Sequence, residues 1–234
     1  MVMYSNIHYI KYKKAMIIKR LVIITALFFT LTAVAQTDEE RSSMARDMLD
    51  KMSTKSKSYQ TIKAKFTLTV DNRQADKKTE FDGQMDVKGD KYVLDMMNQV
   101  TYFDGKDLYV WQKEVGEVNI SESEEGEESM MSPMKLFGAY EEGYKMRYIG
   151  DVSIDGVLCN EVDLFPEDRT KNISRIRLTM DKKTNMIKCL MQQGKDGTSY
   201  YVKIKDFKTN EPMADTHFVF DAKANPKVEI IDLR

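Results

Sequence analysis

The chain has 234 residues, of which 42% are hydrophobic and 31% are charged, with 11 Gly and 4 Pro. This composition is typical of a folded protein and excludes collagen-like and charge-rich disordered chains. The formal net charge of −1 gives no broad positive field for holding a polyanion, so nucleic acid is not an expected partner. With 2 Cys and 2 His in the whole chain, we expect no multi-histidine or four-thiolate zinc site and no other cofactor.

The N-terminal region has the pattern of a secretory signal peptide. Lys19 and Arg20 precede an apolar run at 21–31, and Ala33 and Ala35 follow it as an A-x-A site. We predict cleavage after Ala35, with Met16 as an alternative start of translation. Residues 1–35 are then the signal peptide and 36–234 a single exported domain, because no linker-like stretch interrupts it.

The first element predicted in the exported chain is an amphipathic helix from Thr37 to about Lys51. Thr37 and Glu40 match a capping box, and the apolar positions recur at steps of three and four residues. That apolar stripe is rich in methionine, with Met44, Met48 and Met52.

After residue 59 the apolar period changes from helical to two, which indicates strands. Turn signals such as Asp104-Gly105 and Asp196-Gly197 separate successive runs. We predict strands near 62–70, 80–88, 91–97, 99–104, 107–112, 116–121, 144–150, 156–165, 173–181, 185–193, 198–207, 216–221 and 227–232. Because the connections are short, the strands should form an antiparallel meander.

One segment, between residues 121 and 142, interrupts the meander. An acidic stretch at 122–128 leads into a short run in which Ser132 and Gly138 suit the ends of a helix. We interpret the segment as a helical lid whose movable apolar residues are Met130, Met131, Met134 and Phe137. An ordinary surface helix remains the alternative.

The run 92–111 carries apolar residues on both strand faces, so this part of the sheet should be covered twice. A curled sheet with only two helical pieces to cover it would keep an apolar cavity, for which the alternative is a fully packed core. The candidate wall residues of this cavity are Phe66, Leu68, Met85, Leu94, Leu108 and Trp111.

No arrangement of side chains in the sequence indicates catalysis. No nucleophile motif surrounds a serine, His217 beside Phe218 has the context of a structural residue, and we predict no enzyme. The strand phases place Cys159 and Cys189 on opposite faces of the sheet, so we expect two free thiols.

The order of elements and three short runs resemble the LolA family of periplasmic outer-membrane lipoprotein carriers. The runs are 81–88 (FDGQMDVK), 104–111 (DGKDLYVW) and 217–220 (HFVF) before Pro226. The resemblance implies a mainly β fold, an unclosed antiparallel β-barrel with a helical lid over an apolar cavity. In the family an Arg after the Lys of the second strand holds the lid, whereas Gly89 follows Lys88 here, which leaves Lys88 as the candidate latch.

The resemblance also implies a function. The chain would be a periplasmic, monomeric carrier that binds the acyl chains of lipoproteins and shuttles them from the inner to the outer membrane. Its partners would be an inner-membrane lipoprotein-releasing ABC transporter and an outer-membrane acceptor. The alternatives are a lipid-sensing signalling domain, a secreted envelope hydrolase and a structural envelope protein with a filled core.

Overall fold

The computed structural model describes residues 37–122 and 143–234. The predicted signal peptide, residues 1–35, and the predicted movable residues of the lid lie outside these residues. Helix α1 occupies 37–57 of the described chain, six residues beyond its predicted end. Ala45, Leu49 and Met52 on its apolar stripe are fully buried, as the spacing of four and three residues requires.

Twelve strands of the described chain form one sheet. They are β1 (Ile62–Asn72), β2 (Lys77–Lys88), β3 (Lys91–Met96), β4 (Gln99–Phe103), β5 (Asp107–Gln112), β6 (Glu117–Glu122), β7 (Tyr144–Ile154), β8 (Val157–Pro166), β9 (Ile173–Asp181), β10 (Ile187–Gly194), β11 (Thr198–Thr209) and β12 (Glu229–Asp232). Their order is β12-β6-β5-β4-β3-β2-β1-β11-β10-β9-β8-β7. All pairs are antiparallel except β12 with β6. The predicted fold class, mainly β with an unclosed antiparallel sheet, is confirmed.

The strand predicted at 216–221 is wrong, because Asp215–Phe218 forms a 3-10 helix instead. Phe218 and Phe220 alternate as in a strand, yet they lie across the sheet rather than along its edge. Phe218 is fully buried against Val93 and Val100, and Phe220 packs with Tyr109. The alternation therefore comes from two aromatic side chains that anchor this segment on one face of the sheet, and not from a strand.

The sheet has two distinct faces. We call the face that carries α1 the inner face, where α1 packs on β7–β10 and a second apolar cluster lies on β1–β3 and β11. Val202 contacts both clusters and joins them. The opposite, outer face is apolar on β3–β6, where the segment 213–228 covers it. Strands β3–β5, within 92–111, therefore carry apolar clusters on both faces, but the described chain covers them only on the outer face.

Both cysteines are free, as predicted, but the reason that we gave for it is wrong. Cys159 pairs with Asp181 of β9 and Cys189 pairs with Thr179 of the same strand, so both thiols lie on the outer face. A bulge between Ile187 and Cys189 reverses the phase expected for β10. The thiols remain apart because β9 separates their strands by roughly 9.5 Å, beyond the reach of a disulfide.

The covering segment is tied to the sheet by polar contacts as well. The ammonium of Lys88 donates to the carbonyl of Met213 at 2.8 Å and to Oδ1 of Asp215 at 2.7 Å. Lys91 lies 3.1 Å from Oδ2 of the same carboxylate. The hydrogen bonds from Lys88 and Lys91 and their positive charges lower the pKa of Asp215.

In the part of the chain that the structure describes, no helix combines the length and the apolar character needed to cross a membrane.

Phe218→Ala should lower the free energy of unfolding by about 3–5 kcal/mol, because it leaves a cavity under a fully buried ring. Chemical denaturation measures the loss. Val219→Ala is the matched control, since the side chain of Val219 is exposed, and it should change stability by less than about 0.5 kcal/mol. Equal losses in the two variants would contradict the anchoring role of Phe218.

Lys88→Met should raise the pKa of Asp215 toward the ordinary value of about 3.9. Since folding lowers this pKa, the stabilisation from the ion pair is complete above the unfolded-state pKa and is lost as the pH falls through the folded-state pKa. An NMR titration of the Asp215 carboxyl carbon measures the shift. Lys78→Met, on the same strand but remote from Asp215, should leave that titration unchanged.

Candidate functional site

An apolar cavity lies on the inner face, between the two apolar clusters. The end of α1 and the chain after it supply Ser56 and Tyr59, and β10 with its preceding turn supplies Met186, Ile187 and Leu190. The other wall comes from β1, β2, β3 and β11, with Ala64, Phe66, Met85, Leu94, Val202 and Phe207 among its residues. The cavity exists because α1 covers β7–β10 and ends before it reaches β1–β3.

The lining of the cavity is almost entirely apolar. Of the described residues that form the wall, only Ser56 and Tyr59 carry a polar side-chain atom, and none is acidic, basic, His or Cys. The volume is about 70 Å³. The described residues also contain no group of three His, Cys, Asp or Glu side chains that could hold a metal ion.

Tyr59 closes the cavity where α1 ends. Its ring meets Phe207 edge-on with 6.2 Å between centroids, and the ammonium of Lys55 lies 5.6 Å from the ring centre on the α1 side. Burial raises the pKa of Tyr59, so its hydroxyl stays neutral at physiological pH. The positive charge of Lys55 therefore lies at the rim of an otherwise apolar opening.

One point of the wall is unusually close-packed. Phe66 of β1 pairs with Gly83 of β2, and the ring lies over the glycine so tightly that a Cβ at position 83 would be 2.5 Å from Cζ of Phe66. Because Gly83 has no side chain, the ring of Phe66 has room to lie over it.

The structure brings together part of the set of candidate wall residues. Phe66, Met85 and Leu94 line the cavity. Leu68 and Leu108 belong to the same inner-face cluster without lining the cavity. Trp111 lies on the outer face, 5.6 Å from Phe220 between ring centroids, and does not line the cavity. It is three residues from Leu108 on β5, so strand alternation puts the two side chains on opposite faces.

The remaining candidates lie elsewhere. Met130, Met131, Met134 and Phe137 are outside the described residues. Within the described chain, the ammonium of Lys88 contacts the covering segment at Met213 and Asp215. Its assignment as a lid latch stays a prediction.

Sequence reasoning missed the wall contributed by β10 and β11. The alternation of Val202 and Ile204 carried the necessary signal, since both residues share a face with Leu68 and Phe66. Alternation carried no such signal for Phe207, because a bulge in β11 opposite Lys65 and Phe66 shifts this residue by one position onto the inner face.

The chain is similar to several solved structures. A solved structure of an uncharacterized conserved protein from Thermus thermophilus is 10% identical, covers 81% of this chain and 99% of that chain, and gives a TM-score of 0.55. A LolA superfamily protein from Nitrosomonas europaea is 12% identical, with 75% and 97% covered and a TM-score of 0.39. LprF from Mycobacterium bovis is 13% identical, with 74% and 96% covered and a TM-score of 0.47.

No curated protein matches the chain at a significant level. The profile of the family described as outer membrane lipoprotein carrier protein LolA matches residues 57–221, from the end of α1 through all strands of the sheet but β12 to the aromatic anchors of the covering segment. The chain therefore belongs to the LolA family.

Proposed function

We propose that this protein is a carrier that shelters the acyl chains of lipoproteins in its apolar cavity and moves them from the inner to the outer membrane. The observation that carries the proposal is the cavity itself, whose described walls are hydrocarbon and aromatic with no ionisable side chain except Tyr59. Such a lining suits binding without chemistry, and the LolA family is one of carriers rather than enzymes.

The size of the cavity points to a mechanism for release. At about 70 Å³ it is much smaller than the roughly 300 Å³ or more of typical ligand pockets, so an acyl chain must widen it. Burial of each methylene stabilises the complex by about 0.8 kcal/mol, which would make a fully preformed site hold a lipid too tightly for transfer. Entry of an acyl chain separates apolar surfaces that are packed together in the empty protein, and this cost offsets part of the gain. The weaker net binding lets the next acceptor compete for the lipid.

Connectivity supports the proposed lid. β6 and β7 are consecutive in the chain but lie ten positions apart in the sheet, roughly 48 Å if the sheet were flat. The connection from Glu122 to Tyr144 must therefore join one end of the unclosed sheet to the other. We place the movable residues Met130, Met131, Met134 and Phe137 in this connection, where lid and acyl chain would compete for the same inner face.

The setting of this activity is the periplasm. Cleavage after Ala35 would release an exported domain, residues 36–234, with no cysteine at its new N-terminus for lipid attachment. The exported protein would take lipoproteins from a lipoprotein-releasing ABC transporter of the inner membrane and deliver them to an outer-membrane acceptor.

Site-specific photocross-linking tests the proposal. A photoreactive residue at Val202, on the inner face, should cross-link to a purified lipoprotein that carries its acyl chains. The same residue at Lys203, the next position on β11 and exposed on the outer face, is the matched control and should not. A non-acylated form of the same lipoprotein should give no product at either position.

Equal cross-linking at Val202 and Lys203 would contradict binding within the cavity. Cross-linking of the non-acylated protein at Val202 would show that polypeptide rather than lipid is recognised.

Phe137→Asp should weaken acyl-chain capture by about tenfold or more while leaving the unfolding transition unchanged, because a charge cannot share an apolar wall with lipid. Displacement of a fluorescent fatty acid measures capture. Glu127→Lys, a charge change in the acidic stretch of the same segment, is the control and should retain capture. Unchanged capture by Phe137→Asp would remove this residue from the lid.

A further inference from the structure

A second pocket opens on the outer face, on the other side of the sheet from the apolar cavity. It has a volume of about 270 Å³ and lies between β2–β5 and the 3-10 helix. Its lining combines charged and aromatic side chains, among them Asp86, Asp95, Lys113, His217, Tyr102 and Trp111. We call it the outer pocket.

The side chain of Lys113 spans the outer pocket. Lys113 follows the end of β5, two residues after Trp111, and reaches across β4 to Asp95 on β3. Its ammonium donates to both oxygens of Asp95, at 2.8 and 2.9 Å, and lies 5.8 Å from the centre of the Trp111 ring. One cation is therefore held between a carboxylate and an aromatic ring, which is a combination that binds ammonium groups.

The groups that hold this ammonium can be reached from solution. The side chain of Asp95 is 50% exposed and that of Lys113 is 35% exposed, and Trp111 is half-buried. An exposed ion pair stabilises a protein only slightly, because water solvates both charges well when the pair opens. An ammonium group from solution can therefore replace that of Lys113 at small cost.

The charges of the lining favour a cation over an anion. Among the described residues that line the outer pocket, Asp86 and Asp95 are acidic, and Lys113 is the one lysine or arginine. Asp86 is 4% exposed and its Oδ2 lies 2.7 Å from Nε2 of His217, so it contributes a negative charge rather than a direct contact. The lining therefore has no net positive charge in either protonation state of His217.

Tyr102 and two valines add uncharged surface to the outer pocket. Burial, and then the charge of Asp95, raise the pKa of Tyr102, so its phenol stays neutral at physiological pH. Val93 and Val100 line the pocket between the acidic and the aromatic residues. These side chains suit the alkyl part of an amine, whereas Asp95 and the Trp111 ring suit its ammonium group.

We propose that the outer pocket binds a small organic cation, an alkylammonium ion whose charged group replaces the ammonium of Lys113 between Asp95 and Trp111. Lys113 is then a competitor that the chain itself supplies. The volume of the pocket, just below that of pockets for drug-sized molecules, is sufficient for a short alkylammonium ion. This inference goes beyond the carrier function and does not depend on it, because the two sites lie on opposite faces of the sheet.

The chain has a single tryptophan, and it lines the outer pocket, so its fluorescence reports this site directly. Titration of the exported protein with n-butylammonium chloride, at constant ionic strength, should give a saturable change in tryptophan emission. Butan-1-ol has a similar shape without the charge and butyrate has the opposite charge, so neither should give a saturable change. The absence of a saturable response to butylammonium, or an equal response to butan-1-ol or butyrate, would overturn the proposal.

Two variants with opposite expected effects localise the response. Lys113→Met should tighten butylammonium binding by about two- to fivefold, as the strength of an exposed ion pair allows, because the competing ammonium is gone. Asp95→Asn should weaken binding by about fivefold or more, because it removes the charged acceptor. Asp82→Asn is the matched control and should bind like the parent protein, since Asp82 is an exposed outer-face aspartate that pairs with Lys205 at 2.7 Å outside the pocket. Weaker binding by Lys113→Met, or unchanged binding by Asp95→Asn, would contradict the assignment.

Discussion

The apolar inner face of the unclosed sheet is the constraint on which this structure depends. A sheet of this kind must bury that face, and α1 is too short to cover all of it. The helix completes a core over β7–β10 and then ends, so that Ser56 and Tyr59 border a cavity instead of a packed interior. This incomplete cover leaves the apolar cavity that we propose as the site for an acyl chain.

The apolar surface of the outer face is buried in a different way. There the segment 213–228 lies across β3–β6, Phe218 and Phe220 fill the apolar surface, and Lys88 with Lys91 fixes Asp215. Over β3–β6 the apolar surface of the outer face is thus covered by the chain itself, while the inner face keeps an apolar cavity. This asymmetry separates an apolar site on one face from a polar pocket on the other.

Much of the architecture could be predicted from the sequence, since period-two alternation in β1, β2 and β3 identifies Phe66, Met85 and Leu94 as neighbours on one face. Alternation along β5 puts Leu108 and Trp111 on opposite faces, so the two could not share one wall. Because both faces of β5 are apolar, only the contact with Phe220 shows that Trp111 is the residue on the outer face. The bulges in β10 and β11 also could not be predicted from the alternation of apolar residues. They moved Cys189 and Phe207 to the faces opposite those that simple alternation assigns.

The central claim is that the cavity takes up a lipid chain. Native mass spectrometry of the exported protein, purified gently from its own envelope, tests this most directly. The account predicts, beside the mass of the bare chain, a species heavier by one lipid or acylated peptide, which is lost when a charge replaces an apolar wall residue such as Leu190 in a variant that still folds. Detection of the bare chain alone, in a preparation that retains bound lipid on a known carrier, would contradict it.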